Sequence, residues 1–251
     1  MAIRTKPITA VVLDIEGTVC PISFVKEILF PFFIEQLPEV LEQYEYPLKE
    51  TESSDDDQVY STLLQFPKEL HASKQLLSDY INDLVSRDIK DSILKKLQGL
   101  VWAKGYESSL IKSPIYKDAI DAIEKWASHL SNGVYIYSSG SVQAQKLLFG
   151  HVESVTANSS IDLNNLIIDY FDTINIGPKI ETSSYTKILK KIKEINHPSN
   201  VLFLSDNINE VNAAIDSGMQ SFIVRRPGNA ELSKDQTAYH TIIDNFEDLI
   251  Q

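Results

Sequence analysis

The stretch Val11-Val12-Leu13-Asp14-Ile15-Glu16-Gly17-Thr18 constrains the fold of this chain more than any other. An apolar run from Ile8 to Leu13 stops at two carboxylates one residue apart, and a Gly-Thr turn follows. A short apolar run closed by a turn signal suits a parallel strand covered on both faces. In open α/β sheets, ligands gather at the carboxyl ends of such strands. Two acids there are costly to leave unpaired, so a cation is the expected partner.

Downstream of this strand the pattern changes. Phe24, Val25, Ile28, Leu29, Phe32, Phe33 and Gln36 recur at helical spacing, with Pro31 as an expected kink. The segment Tyr44 to Asp57 reads as a solvated loop. Its run Asp55-Asp56-Asp57 lacks the spacing, glycine and terminal glutamate of a calcium loop. Between Gln58 and Tyr106 the spacing is helical throughout, carried by Leu76, Leu77, Tyr80, Ile81, Leu84 and Val85 and then Ile93, Leu94, Leu97, Leu100 and Val101. No strand is expected between Pro21 and Lys112. Helices alone, inserted after a single strand, imply a separate helical domain interrupting an α/β domain.

The α/β alternation then returns. Helix Ala119 to Leu130 precedes strand Val134 to Tyr137, which runs into Ser138-Ser139-Gly140-Ser141 and a helix from Val142 to about Phe149. Phe171 to Ile176 is the next candidate strand. A helix carrying Ile188, Leu189, Ile192 and Ile195 follows, with Thr182 to Ser184 as candidate N-caps. Strand Val201 to Leu204 ends in Ser205-Asp206-Asn207, helix Val211 to Ser217 closes at Gly218, and Ser221 to Val224 is the last central strand. This order predicts parallel strands joined by right-handed crossovers. The expected fold is α/β: a Rossmann-like parallel-sheet core from residues 1–20 and 114–251, with an inserted helical cap domain at 21–113.

Composition narrows the function classes. No apolar span of membrane length is present, and the first residues run straight into the strand rather than into a leader. Cys20 is the only cysteine, so no internal disulfide can form and a reducing compartment fits. A formal net charge of −12 argues against a nucleic-acid surface. The five histidines lack metal-ligand spacing. Cys20 has no histidine pattern that would activate it, and is expected to be packed.

Parallel strands would bring Asp14 and Glu16, Ser138 and Ser139, Lys179 and Asp206 to one sheet edge. Phosphoryl transfer through a carboxylate needs such a set. An aspartate attacks phosphorus and forms an acyl phosphate that water cleaves. A hard cation and a lysine neutralise the charge of the dianion. Mg²⁺ takes a few carboxylate oxygens and keeps several waters, for which Asp14 and Asp206 are suitable ligands. Hydroxyls and backbone N–H groups at a helix start suit phosphate oxygens, the place of Ser138, Ser139 and Gly140.

The motif Asp14-Ile15-Glu16-Gly17-Thr18 resembles the first motif of the haloacid dehalogenase superfamily of aspartate-nucleophile phosphatases, which usually carries a second aspartate where Glu16 stands. Pro21-Ile22-Ser23-Phe24-Val25-Lys26, Tyr135 to Ser141, Gln145 to Gly150 and Arg226-Pro227-Gly228-Asn229 extend the likeness to nearly the whole chain. Together they resemble the enolase-phosphatase E1 family. The resemblance implies a methionine-salvage enzyme that enolises 2,3-diketo-5-methylthiopentyl-1-phosphate and then removes the phosphate, giving an acireductone. It implies one Mg²⁺ per subunit, a small-molecule phosphate substrate, a monomer, no nucleic-acid or membrane partner, and a cytoplasmic location with the nucleus left open as a second. Carried over position by position, Asp14 is nucleophile and metal ligand, and Glu16 holds a metal position and protonates the leaving oxygen. Ser138, Ser139 and Lys179 bind substrate, Asp206 completes the metal site, and Glu210 orients Lys179 or a metal-bound water. The inserted cap is expected to close over the substrate.

Val19 and Cys20 depart from the hydroxyl pairs common in that family, so a hydroxyl contact is expected to be missing there. Two rivals stand beside this reading. One is a generic Mg-dependent small-molecule phosphatase without the enolase step. The other is a catalytically dead binding protein, against which intact Asp14, Glu16, Lys179 and Asp206 count.

Overall fold

The computed structural model describes residues 7–50, 56–154, 160–193 and 195–249. Its strands are β1 (Ala10–Leu13), β2 (Gly133–Tyr137), β3 (Val152–Glu153), β4 (Ser160–Ile161), β5 (Ile167–Phe171), β6 (Val201–Ser205), β7 (Gln220–Val224) and β8 (Ile242–Ile243). Its helices are α1 (Phe30–Glu42), α2 (Gln58–Leu63), α3 (Lys74–Ser86), α4 (Ser92–Glu107), α5 (Lys117–His129), α6 (Val142–Gly150), α7 (Thr182–Lys191), α8 (Ile208–Asp216) and α9 (Lys234–Tyr239).

Six strands form one sheet in the order β5-β2-β1-β6-β7-β8, and every pairing in it is parallel. β1 is central, with Val12 in register with Tyr135 of β2 and Phe203 of β6. All four of its residues are fully buried, as expected of a strand covered on both faces. Side chains alternate between faces. Ala10, Val12, Tyr135, Tyr137, Val201 and Phe203 pack with Tyr185 and Ile188 of α7 and Ala213 and Ala214 of α8. α5 packs beside β2, and its Trp126 ring lies 5.6 Å from that of Phe246. After β1 the chain builds outward through β2 to β5. It then restarts on the other side with β6, β7 and β8. The order therefore reverses between β1 and β6, where open α/β sheets form their binding crevice.

The chain divides into two compact units, Met1–Phe24 with Lys112–Gln251, and Val25–Ile111. In the second unit a π-helical turn, Val25–Leu29, leads into α1. The helical run is continuous from Phe24 through the π-helical turn into α1, and Pro31 stands just past that turn, where the helix changes pitch; Pro38 is a second proline, inside α1. Asp57 caps α2 by accepting from Tyr60 N, and Asp91 caps α4 by accepting from Ile93 N and Leu94 N. Trp102 of α4 donates to Leu29 O at 2.9 Å and stacks near Phe30. Among the described residues Val25–Ile111 holds no strand. Part of the expected acidic loop, residues 51–55, lies outside those described.

Two expected elements move. The strand expected at Phe171 to Ile176 is β5, Ile167–Phe171. Asp172 ends it by accepting the N–H groups of Ile174 and Asn175, which turns the chain. The helix expected to reach Ile195 stops at Lys191, and Ser184, expected as a cap, donates to Pro178 O instead. β8, two residues long, adds a parallel edge beyond β7.

Candidate active site

β1 delivers Asp14 to the carboxyl edge of the sheet, and β6 delivers Ser205 and Asp206 beside it. Asp14 N donates to Leu204 O at 2.9 Å, which continues the β1–β6 pairing to the point where the acid emerges. Asp14 is only 6% exposed. Its Oδ1 accepts from Ile15 N at 2.8 Å and from Lys179 Nζ at 2.5 Å. Its Oδ2 lies 3.1 Å from Ser205 Oγ. The carboxylate is thus aimed by two standing donors and by a hydroxyl that it shares with Glu210.

Lys179 is buried between two acids, 2.5 Å from Asp14 Oδ1 and 2.7 Å from Glu210 Oε2. Burial alone would push the ammonium down, but Asp14 and then Glu210 outweigh it and hold it above the usual lysine value. The segment that presents it is braced at four successive carbonyls. Ile176 O accepts from Lys187 Nζ, Gly177 O from Tyr137 Oη, Pro178 O from Ser184 Oγ and Lys179 O from Tyr185 Oη, at 2.6–2.8 Å.

Glu210 lies on the first turn of α8, and its carboxyl is raised by burial and by Asp14, against the pull of Lys179. Ser205 Oγ links the two acids, 2.8 Å from Glu210 Oε2 and 3.1 Å from Asp14 Oδ2, while accepting from Asn207 N. Its one proton serves one carboxylate at a time.

Asp206 N donates to Thr18 Oγ1 at 3.1 Å, so the β6 edge is fastened to the turn after β1. Burial, then Asp14 and then Glu16, push the Asp206 carboxyl up to about 7, although Lys179 opposes them. Among the described residues no lysine or arginine nitrogen reaches ion-pair distance of it. A raised, all-oxygen acid beside Asp14 fits a hard cation that would remove that electrostatic cost. No group of three or more His, Cys, Asp or Glu side chains converges on one point among the described residues. Such a cation would therefore complete its shell with backbone oxygen and water, as Mg²⁺ does. Glu16 is half-buried on the same turn, and its charge acts on both Asp206 and Cys20.

Ser138 follows β2 directly and is buried, whereas Ser139 is exposed. Gly140 N donates to Ser138 Oγ at 3.3 Å, Ser141 caps α6 through Ala144 N, and Val142 N donates to Asp172 Oδ2. Gln145 braces the loop from beneath, donating to Gly140 O at 2.7 Å and Phe171 O at 2.9 Å. Cys20 is fully buried, and burial first, then Glu16 and Asp14, raise its thiol well above the ordinary value. Val19 supplies a backbone acceptor to Tyr116 N.

Ser205, Thr18, Gln145, Arg226, Asn229 and Asp118 carry site geometry without having been assigned a role from the sequence. Arg226 Nε donates to Thr18 O, its guanidinium pairs with Asp118 at 2.7 Å, and it lies over the rings of Tyr116 and Phe246. Arg226 and Asn229 were visible as part of a motif, but Asp118 is 108 residues from Arg226 and no spacing joins them.

The family model for haloacid dehalogenase-like hydrolase matches residues 8–218. Enolase-phosphatase E1 of Candida albicans strain SC5314 is 50% identical, over 97% of this chain and 96% of that protein. Enolase-phosphatase E1 of Candida tropicalis is also 50% identical, over 96% of this chain and 98% of its own length. The crystal structure of the UTR4 protein of Saccharomyces cerevisiae superposes with a TM-score of 0.81 at 46% identity, covering 96% of this chain and 99% of that one. CbbY of Rhodobacter sphaeroides, at 14% identity and a TM-score of 0.56, shares the fold. By motif, sheet order and full-length similarity, the chain belongs to the haloacid dehalogenase-like hydrolases and, within them, to the enolase-phosphatase E1 family.

Proposed function

We propose that the chain is a bifunctional enolase-phosphatase of methionine salvage. It enolises 2,3-diketo-5-methylthiopentyl-1-phosphate and then hydrolyses the phosphate ester, releasing the acireductone 1,2-dihydroxy-3-keto-5-methylthiopentene. The observation that carries the phosphatase half is Asp14, buried and aimed by Ile15 N–H, Lys179 and Ser205 at the reversal point of the sheet. Similarity to relatives named for both activities, over nearly the full length, supports the enolase half.

Asp14 Oδ attacks phosphorus, the ester P–O bond breaks, and the phosphoryl group rests on Asp14 as an acyl phosphate. The leaving oxygen takes a proton, a role suited to Glu16 on the same turn. Water then attacks the acyl phosphate and frees inorganic phosphate. Lys179 faces the dianion's charge while holding Asp14 in line, and Ser138 and Ser139 offer hydroxyls at the start of α6. Haloacid dehalogenase-like hydrolases are generally Mg²⁺-dependent. One Mg²⁺ would be held by the carboxylates of Asp14 and Asp206, with Glu16 contributing backbone oxygen so that its side chain stays free to give a proton, and it would supply positive charge to the phosphate.

No helix among the described residues is long and apolar enough to cross a membrane. We place the enzyme in the cytoplasm as a monomer, acting on a small phosphate ester. Incubation with the diketone phosphate tests the reading. An ultraviolet absorbance change from the enol ahead of phosphate release is expected. Phosphate release without any enol would make this a simple phosphatase.

A further inference from the structure

The loop Arg226 to Asn229 follows β7 and grips the turn that carries the nucleophile, yet the reaction above gives it no part. Arg226 Nε donates to Thr18 O at 3.0 Å, and Asn229 Nδ2 donates to Gly17 O at 2.8 Å. Two successive carbonyls of the turn are therefore held by one loop. Asn229 Nδ2 also reaches Val224 O at 3.3 Å. Turning the amide over would set its oxygen against two carbonyl oxygens, so the orientation is dictated. Asn229 Oδ1 is then a buried acceptor, and among the described residues it has no hydrogen-bond partner. Buried acceptors are normally satisfied, so this one calls for a donor.

Gly17 shows where that donor would come from. Its φ is +70°, and a Cβ there would lie 2.5 Å from Asp206 Oδ2 and 2.9 Å from Asn229 Oδ1. The orphan acceptor and the carboxylate of the candidate cation site crowd the same side of one glycine. A hard cation at Asp206 brings waters whose protons need acceptors.

We propose that Asn229 is a positioning residue of the cation site, its amide clamping the Gly17 peptide and its Oδ1 accepting a hydrogen bond from a cation-bound water. This rests on the reading of Asp14 and Asp206 as cation ligands. Partners of this kind orient a metal's own ligands, and their loss typically costs tenfold or more in affinity.

The test uses the full chain and Mn²⁺ as probe, with binding followed by electron paramagnetic resonance and the metal-free melting temperature measured alongside. Asn229→Ala and Asn229→Asp both lose the clamp, so both should melt lower without metal, the aspartate by more because its second oxygen stands against the Gly17 and Val224 carbonyl oxygens. Only Asn229→Ala loses the acceptor. It should bind Mn²⁺ about tenfold more weakly, whereas Asn229→Asp should bind at least as tightly as the parent. Asn229→Ser, too short to reach the same place, stands in for alanine if that variant fails to fold. Equal Mn²⁺ affinity in the alanine (or serine) and aspartate variants, whether native or weakened, overturns the proposal. Asp206→Asn is measured separately: native affinity there would overturn the cation-site reading itself, and a large loss supports it.

Discussion

Lys179 is the residue whose environment says most about how this site works. Its single charge is shared by two buried acids, and each acid also lies against Ser205. Asp14→Asn keeps an acceptor for Ile15 N–H but loses the nucleophile. It is expected to abolish phosphate release while circular dichroism stays native, and retained turnover would remove the acyl-phosphate route. Ser205→Ala takes away the hydroxyl shared by two buried carboxylates, and should cost about 1–3 kcal/mol in urea unfolding. Asp206 sets a pH dependence. Its carboxyl, at about 7 in the metal-free fold, ionises near ~3.9 in the unfolded chain. A folded value raised above the unfolded one contributes stability that is complete below about pH 4 and is lost as pH climbs to about 7. Metal-free melting temperature should therefore fall across that window, and Asp206→Asn should flatten the slope. Cation affinity runs the other way, weakening below about pH 7 as the ligand protonates. Mn²⁺ titrations at several pH values check this second limb.

At the level of elements, the turn after β1 is held by parts of the chain far from it in sequence. Arg226 and Asp118 form a buried pair whose guanidinium also carries Thr18 O. Removing one partner of such a pair leaves an uncompensated charge. Asp118→Ala should thus cost about 3–5 kcal/mol by chemical denaturation, far more than an exposed pair such as Arg225–Asp244. Little of this bracing could be read in advance. β1, β2, β6 and β7 were legible because each is a short buried apolar run closed by a turn signal. β5 was placed several residues late, since Ile176 is as buried as Phe171 and hydropathy does not show that Asp172 bends the chain between them. β8 is too short to have a period at all. Asp14 and Asp206 were legible from motif and strand ends, Lys179 only from the family resemblance, and the structure brings Lys179 onto Asp14. The hydroxyl of Ser205 and the amide of Asn229 were not, because their roles depend on distances across the sheet rather than along the chain.

For the whole molecule, the division into two units means that the chemistry described here belongs to one of them. Asp14, Ser138, Lys179, Asp206 and Glu210 all fall within Met1–Phe24 and Lys112–Gln251. A cation that binds only the folded form of that unit, at a hundred times its Kd, adds about 2.7 kcal/mol to its stability. The helical unit, with its own buried core of residues such as Phe33, Leu37, Ile81 and Leu97, gains nothing directly. The chain's two tryptophans fall one to each unit: Trp126 of α5 against Phe246, and Trp102 of α4 against Phe30. Each unit thus carries its own natural fluorophore, and replacing one with phenylalanine isolates the emission of the other. With Mg²⁺ added, the melting curve seen by Trp126 alone should move to higher temperature, and that seen by Trp102 alone should move less. Equal shifts would show the two units melting as one. No dye need be attached, because the chain already separates its two halves by the light they emit.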